Sequence, residues 1–191
     1  LSIGIGLLAF LFLFKIGEAF LGRMSLIFYK EIGFTKSDIG IFSKGLGWIT
    51  TVLFTLIGGI LTVKIGLVRS IFIAGIFMAV TNLLFSLLFW TGKNYLIFSV
   101  AVILDDLAAA FATVAFVAFI SVLVNRQYTA TQYALLASIG TLGRTTLASS
   151  SGSLVDYLNG DWGLFFIITC MMVIPSLILI FFLKGKIKVL N

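Results

Sequence analysis

The chain has no histidine, one cysteine and one proline in 191 residues. Without histidine there is no Ser-His catalysis, no His-ligated zinc, no di-iron carboxylate-His centre and no haem held on His. Cys170 stands alone, so it forms no intrachain disulfide and says nothing about redox compartment. Charge is scarce too. Only 10% of the residues are charged, against about 25% in a soluble domain. With 61% hydrophobic residues and a mean hydropathy of +1.21, too little polar surface remains to dissolve the chain. There is no GxxxxGK[ST] phosphate loop and no Cys cluster. The run SSSGSL is serine-rich but lacks a His or Lys base. Adjacent Asp105 and Asp106 are not the opposed carboxylates that share a water in an aspartyl protease. No enzyme, cofactor or metal centre is expected.

What the chain does have is length without polarity. Six hydrophobic segments fall at about 2–28, 39–63, 70–91, 95–124, 131–154 and 162–184, each close to the roughly 20 residues a bilayer requires. Twenty Phe and nineteen Gly suit helices packed in lipid, where glycine lets backbones approach. The connections are short, so consecutive helices are antiparallel neighbours. The expected fold is all-α: residues 1–191 form a single six-helix transmembrane bundle. Carboxylates in segments one and four raise the option of two inverted three-helix units. Thr35-Lys36-Ser37-Asp38 and Thr129-Ala130-Thr131-Gln132 read as capping boxes that restart helices. Pro175 is expected to kink the last helix by releasing the Met171 carbonyl. The chain opens inside a hydrophobic run without Met or a basic leader. That points to a piece of a longer protein rather than a cleaved signal peptide.

Net charge is +6. In a soluble protein this would raise nucleic acid as a partner. Here the basic residues sit between and after the segments and set orientation instead. Lys64, Arg69, Arg126, Lys184, Lys186 and Lys188 gather at one set of ends. Lys30, Lys36 and Lys93 share the other with Glu31, Asp38, Asp156 and Asp161. The first side is expected to be cytoplasmic, with both termini on it. The tail KGKIK would lie near anionic headgroups, as a topology anchor first.

Charges inside the segments carry the functional reading. One near mid-bilayer costs about 3 kcal/mol or more unless it faces protein or water. Lys15 and Glu18 are three apart and share a helix face. They read as a substrate or proton site, or as a structural ion pair. Asp105 and Asp106 differ by about 100° around their helix and cannot face one partner. Asp106, Ala110 and Thr113 form a stripe of small residues. These aspartates read as proton-exchange groups, or as charge partners of Lys15, Lys44 or Arg144. Arg144 shares a stripe with Gln132, Gly140 and Ser151, and offers a planar fork to an anionic group. It reads equally as a bridge to Asp105 or Asp106. Lys44 heads a polar and small stripe through Gly47, Thr51, Thr55, Gly58 and Thr62. Thr51 to Thr62 read as helix-packing residues, whereas Lys44 faces a cavity or snorkels outward.

The run FYKEIGFTKSDIGIFSKGLG followed by GGILTVKIG resembles the AmpG-type muropeptide permeases of the major facilitator superfamily. NRQYTATQYALLASIGTLGR, the SG before WGLFF, and KIGEAF extend the resemblance from about Lys15 to Pro175. It implies the C-terminal half of a twelve-helix transporter in a bacterial inner membrane, with a separate N-terminal six-helix half as partner. Helices one and four would line its cavity. It further implies proton-coupled uptake of GlcNAc-anhydromuramyl peptides, or of a similar anionic solute such as acetyl-CoA. Glu18 and one of Asp105 and Asp106 would handle protons. Lys15 and Arg144, with Lys44 and Gln132 as further candidates, would meet the substrate. Val63 stands where the superfamily's cytoplasmic motif has Asp, which weakens that charge relay. The rival readings are a non-transporting membrane chain whose charges merely pack, and a membrane enzyme acting on lipid-linked sugars.

Overall fold

The computed structural model describes residues 3–124 and 129–185. Arg126, Lys186 and Lys188, used above for orientation, lie outside them. Every regular element among the described residues is helical. The first hydrophobic run is not one helix. It forms α1 (Ile3–Leu13) and α2 (Ile16–Glu31), broken at Phe14–Lys15. The second opens at α3 (Lys36–Ile39), where the Thr35–Asp38 capping box forms. Asp38 N–H donates to Thr35 Oγ1 at 3.1 Å, and Thr35 N–H donates to Asp38 Oδ2 at 2.9 Å. A π-helical stretch, Gly40–Leu46, then leads into α4 (Gly47–Ile65).

The chain reverses at Gly66, with φ +87°, into α5 (Leu67–Thr91). Asn94 caps α6 (Tyr95–Leu123) by accepting from Leu96 and Ile97 N–H. The fifth run is also broken, into α7 (Thr129–Ala148) and α8 (Ser151–Tyr157). Asp161 caps α9 (Trp162–Leu183), which continues through Pro175. Among the described residues five stretches are long and apolar enough to cross a membrane: Ile3–Glu31, Lys36–Ile65, Leu67–Thr91, Tyr95–Leu123 and Trp162–Leu183.

α5 packs on α6 and α9, α4 lies on α6, and α1 and α2 lie on α7 and α9. Two aromatic-rich cores fill the space between. One gathers Phe28, Phe85, Phe98, Trp162 and Phe166, with Phe28 edge-on to Phe166 at 4.7 Å. The other gathers Phe10, Phe14, Phe111, Phe119 and Ile180. Large apolar side chains face outward, above all on α4, where Trp48 is 73% and Val63 86% exposed. In a bilayer that surface faces lipid rather than water. Several buried hydroxyls are satisfied within their own helices, Thr62 donating to the Gly58 carbonyl, Thr169 to Phe166 and Ser176 to Val173, while Ser86 of α5 donates across to the Gly163 carbonyl of α9. The packing expected of the α4 stripe is present at Gly58 and Thr62. It is absent at Thr51 and Thr55, which are exposed because α6 covers only one face of α4.

α1 and α7 approach so closely that the Phe12 carbonyl oxygen lies against Gly143, where a Cβ would overlap it. Gly143→Ala is expected to destabilise the protein by about 1–3 kcal/mol through overpacking. Gly22→Ala, with nothing within 4 Å of the new methyl, should be neutral or slightly stabilising. Unfolding of both variants in micelles checks this; equal stability would refute the close approach.

Candidate functional site

The break at Phe14–Lys15 organises the buried charges. A severed helix bares carbonyls at its C-terminal end and N–H groups at the next N-terminus. The end of α1 turns its carbonyls onto α7: Phe12 O lies against Gly143, and Leu11 O would lie 3.5 Å from a Cβ on Gly140. Lys15 follows that C-terminal end, and Glu18 lies in the first turn of α2. Glu18 complements the positive end of α2, while Lys15 stands between the negative end of α1 and the positive end of α2.

Lys15 Nζ lies 3.0 Å from Glu18 Oε2 and donates to Glu18 Oε1 at 3.3 Å. It also donates to Thr113 Oγ1 on α6 at 2.7 Å. Thr113 in turn donates to the Ala109 carbonyl. Arg144 Nη2, from α7, lies 3.8 Å from Glu18 Oε1. The two inner side chains are largely shielded, Lys15 at 12% and Glu18 at 16% exposure, while Arg144 is 48% exposed. Glu18 is therefore a carboxylate between two cations from different helices. Its Oε2 is buried and takes no hydrogen bond of good geometry among the described residues, despite the ion-pair distance to Lys15.

Asp105 and Asp106 point apart. Thr81 of α5 donates to Asp105 Oδ1 at 3.2 Å, and Thr50 of α4 donates to Asp106 Oδ2 at 2.7 Å. Asp106 Oδ2 sits 3.1 Å from where a Cβ on Gly47 would be, so a side chain there would crowd the carboxylate. The charged neighbours of Asp105 are Glu18 and Asp106, and Lys44 is that of Asp106. The bridge from Arg144 to Asp105 or Asp106 does not form; Arg144 pairs with Glu18 instead. Gln132 shares α7 with Arg144 but lies about 18 Å away along the axis, so it does not join this cluster. Lys44 is exposed on the π-helical stretch, with Asp106 as a charged neighbour.

Sequence reasoning passed over several groups. Thr50 and Thr81 supply the hydroxyls for the aspartates, and buried Tyr29 has both aspartates as charged neighbours. Arg23 is exposed midway along α2. Asn82 is 1% exposed, and its Nδ2 has no hydrogen-bond partner among the described residues. It lies 3.3 Å from where a Cβ on Gly17 would be, beside the break. A cation or an amide inside a hydrophobic run was the available signal for both Arg23 and Asn82.

These helices define an all-α, multi-pass membrane protein with ionised groups held inside its spans. No family model matches the chain. It is 36% identical over 183 residues to AmpG 4 of Rickettsia felis, covering 96% of this chain and 44% of that protein. The anhydromuropeptide permease of Escherichia coli K12 is 32% identical over 175 residues, 91% of this chain and 35% of its own length. AmpG 1 of Rickettsia prowazekii is 32% identical over 182 residues, 95% of this chain and 41% of its own. The chain is thus similar over most of its length to AmpG and anhydromuropeptide permease proteins, and it spans less than half the length of these relatives.

Lys15 and Glu18 should behave as a unit in stability. Lys15→Met alone leaves a shielded carboxylate with only the more distant Arg144, and Glu18→Gln alone strands Lys15. The double variant should be less destabilised than the sum of the singles, with a coupling of about 1–3 kcal/mol. Additive losses in a double-mutant cycle would show that the pair carries no interaction energy.

Proposed function

We propose that this chain is the C-terminal six-helix half of a proton-coupled secondary transporter, built as two inverted three-helix units. It would import an anionic solute of the anhydromuropeptide class. It would work with an N-terminal six-helix half in a bacterial inner membrane, both of its own termini cytoplasmic. The observation that carries the reading is Glu18 held between Lys15 and Arg144 at a break inside a membrane span. A merely structural ion pair needs one cation and no interruption of the helix. Here α6 and α7 both converge on the Lys15–Glu18 pair at the α1/α2 break, Thr113 accepting from Lys15 and Arg144 lying against Glu18. The names of the relatives supply the substrate class.

Protonation of Glu18 removes the negative charge that holds both cations. Arg144, already half exposed, is then free to take a carboxylate of the solute through its planar fork. Loss of the proton restores the pair and expels the anion. Coupling arises because proton and solute favour the same arrangement of Lys15 and Arg144, so each shifts the balance of states toward the other. Asp105 and Asp106, held by Thr81 and Thr50, would pass the proton between Glu18 and the end of the bundle where α3 and α6 begin. Lys44 would act on Asp106.

Glu18→Gln should abolish solute accumulation driven by a proton gradient in vesicles that carry the chain with the rest of its transporter. Exchange of solute for solute should persist. Arg144→Gln should raise KM for the anionic solute about tenfold or more, the worth of one charge-assisted contact. Gradient-driven accumulation undiminished in Glu18→Gln would remove the proton role from this residue.

A further inference from the structure

At the end where α4 meets α5, the structure holds a cavity of about 520 Å³ that takes no part in the site above. Its wall combines Gly66, Arg69, Phe72, Ile73, Phe181 and Lys184. Arg69 and Lys184 come from different helices and are both exposed. Neither pairs with a carboxylate among the described residues. None of the seven acids of the chain lines the cavity, and the four outside the middle of the spans (Glu31, Asp38, Asp156 and Asp161) all lie at the opposite end. The Lys184 ammonium rests over the Phe181 ring at 4.2 Å, which places it at the rim between apolar wall and polar surface. Ile73 and Phe181 turn apolar surface outward, at 36% and 53% exposure, toward where acyl chains would lie.

We propose that this cavity binds one anionic phospholipid. The phosphate diester meets Arg69 through two parallel N–H contacts and Lys184 as a point charge, and an acyl chain follows Ile73 and Phe181 along the lipid-facing surface. A free phosphate would satisfy the cations and leave the apolar wall unused. A zwitterionic lipid would set its own ammonium against two cations. The ligand that uses both features carries net negative charge and a hydrocarbon chain. This inference requires the membrane spans and is independent of the transport reading.

The full chain, purified in neutral detergent, is titrated with phosphatidylglycerol, with phosphatidylcholine and with inorganic phosphate. Native mass spectrometry counts retained molecules, and thermal unfolding reports protection. Phosphatidylglycerol should be retained in preference to phosphatidylcholine, with one molecule held most tightly. Arg69→Gln with Lys184→Gln should weaken that binding by on the order of 10- to 30-fold. Arg69→Lys with Lys184→Arg should keep most of it. Lys30→Gln with Lys36→Gln removes the same charge at the opposite end and should leave it unchanged. Equal retention of the two lipids, equal loss in the Lys30/Lys36 variant, or protection by phosphate matching that by phosphatidylglycerol would each overturn the proposal.

Discussion

A charge held inside hydrocarbon must be met by protein, and at Lys15 this requirement bends the backbone itself. An unbroken helix through residues 3–31 would carry Lys15 and Glu18 on one face with no dipole end near either. Breaking it at Phe14–Lys15 sets the ammonium after the C-terminal end of α1 and the carboxylate in the first turn of α2. The break bares carbonyls, which then need cover. Gly140 and Gly143 let α7 come close enough to provide it, and that approach brings Arg144 alongside Glu18. Phe10 on Phe119 and Phe14 on Phe116 fix α1 against α6, so that Thr113 stands where Lys15 can donate to it. The helix break, the α1–α7 contact and the charged cluster are one solution to one constraint.

The relation between the aspartates and the rest follows from helix geometry. Two adjacent acids must diverge, and α6 has a different neighbour on each side. Asp105 turns to α5 and finds Thr81, while Asp106 turns to α4 and finds Thr50. Each acid is therefore solvated by a hydroxyl rather than neutralised by a cation. Of the cations that might have served, Lys15 and Arg144 are committed to Glu18, and Lys44 neighbours Asp106 without forming an ion pair among the described residues. This division separates one carboxylate that is ion-paired from two that are merely hydrogen-bonded.

How much could be read beforehand depends on whether the information is local. Hydrophobic run lengths are local, and they yielded the all-α membrane class. The Thr35 capping box is local, and it forms as its four residues imply. The divergence of Asp105 and Asp106 follows from their adjacency alone. The breaks at Phe14–Lys15 and Ser149–Ser150 were not legible, because hydropathy counts apolar side chains and is blind to backbone hydrogen bonds. The partner of Arg144 depends on which helix α7 approaches, and that is set by Gly140 and Gly143 against α1. The same dependence hid Thr50 and Thr81, ordinary hydroxyls until α4 and α5 lie beside α6. Thr51 and Thr55 misled for the converse reason: helical spacing places them on a stripe, yet no helix among the described residues covers that side of α4.

The two ends of the bundle differ in how their polar groups are matched, and this bears on where the molecule can yield. At the end where α3 and α6 begin, Tyr95 donates to Asp38 at 3.2 Å, and Lys93 lies 3.6 Å from the same carboxylate and over the Phe34 and Tyr95 rings. Trp162 donates to Glu31 at 2.6 Å beside the Phe28–Phe166 cluster. These contacts tie α2, α3, α6 and α9 to one another. No comparable set of pairs holds the opposite end among the described residues, where Arg69 and Lys184 lack carboxylate partners. Glu18 stands between these two regimes, where Arg144 of α7 meets the first turn of α2. There α1 and α7 meet through backbone, the Phe12 carbonyl against Gly143, and through apolar side chains, Ile139 beside Leu8 and Phe12. Movement at the tied end must break its aromatic and ionic contacts together, whereas apolar contacts of this kind can slide without stranding a charge.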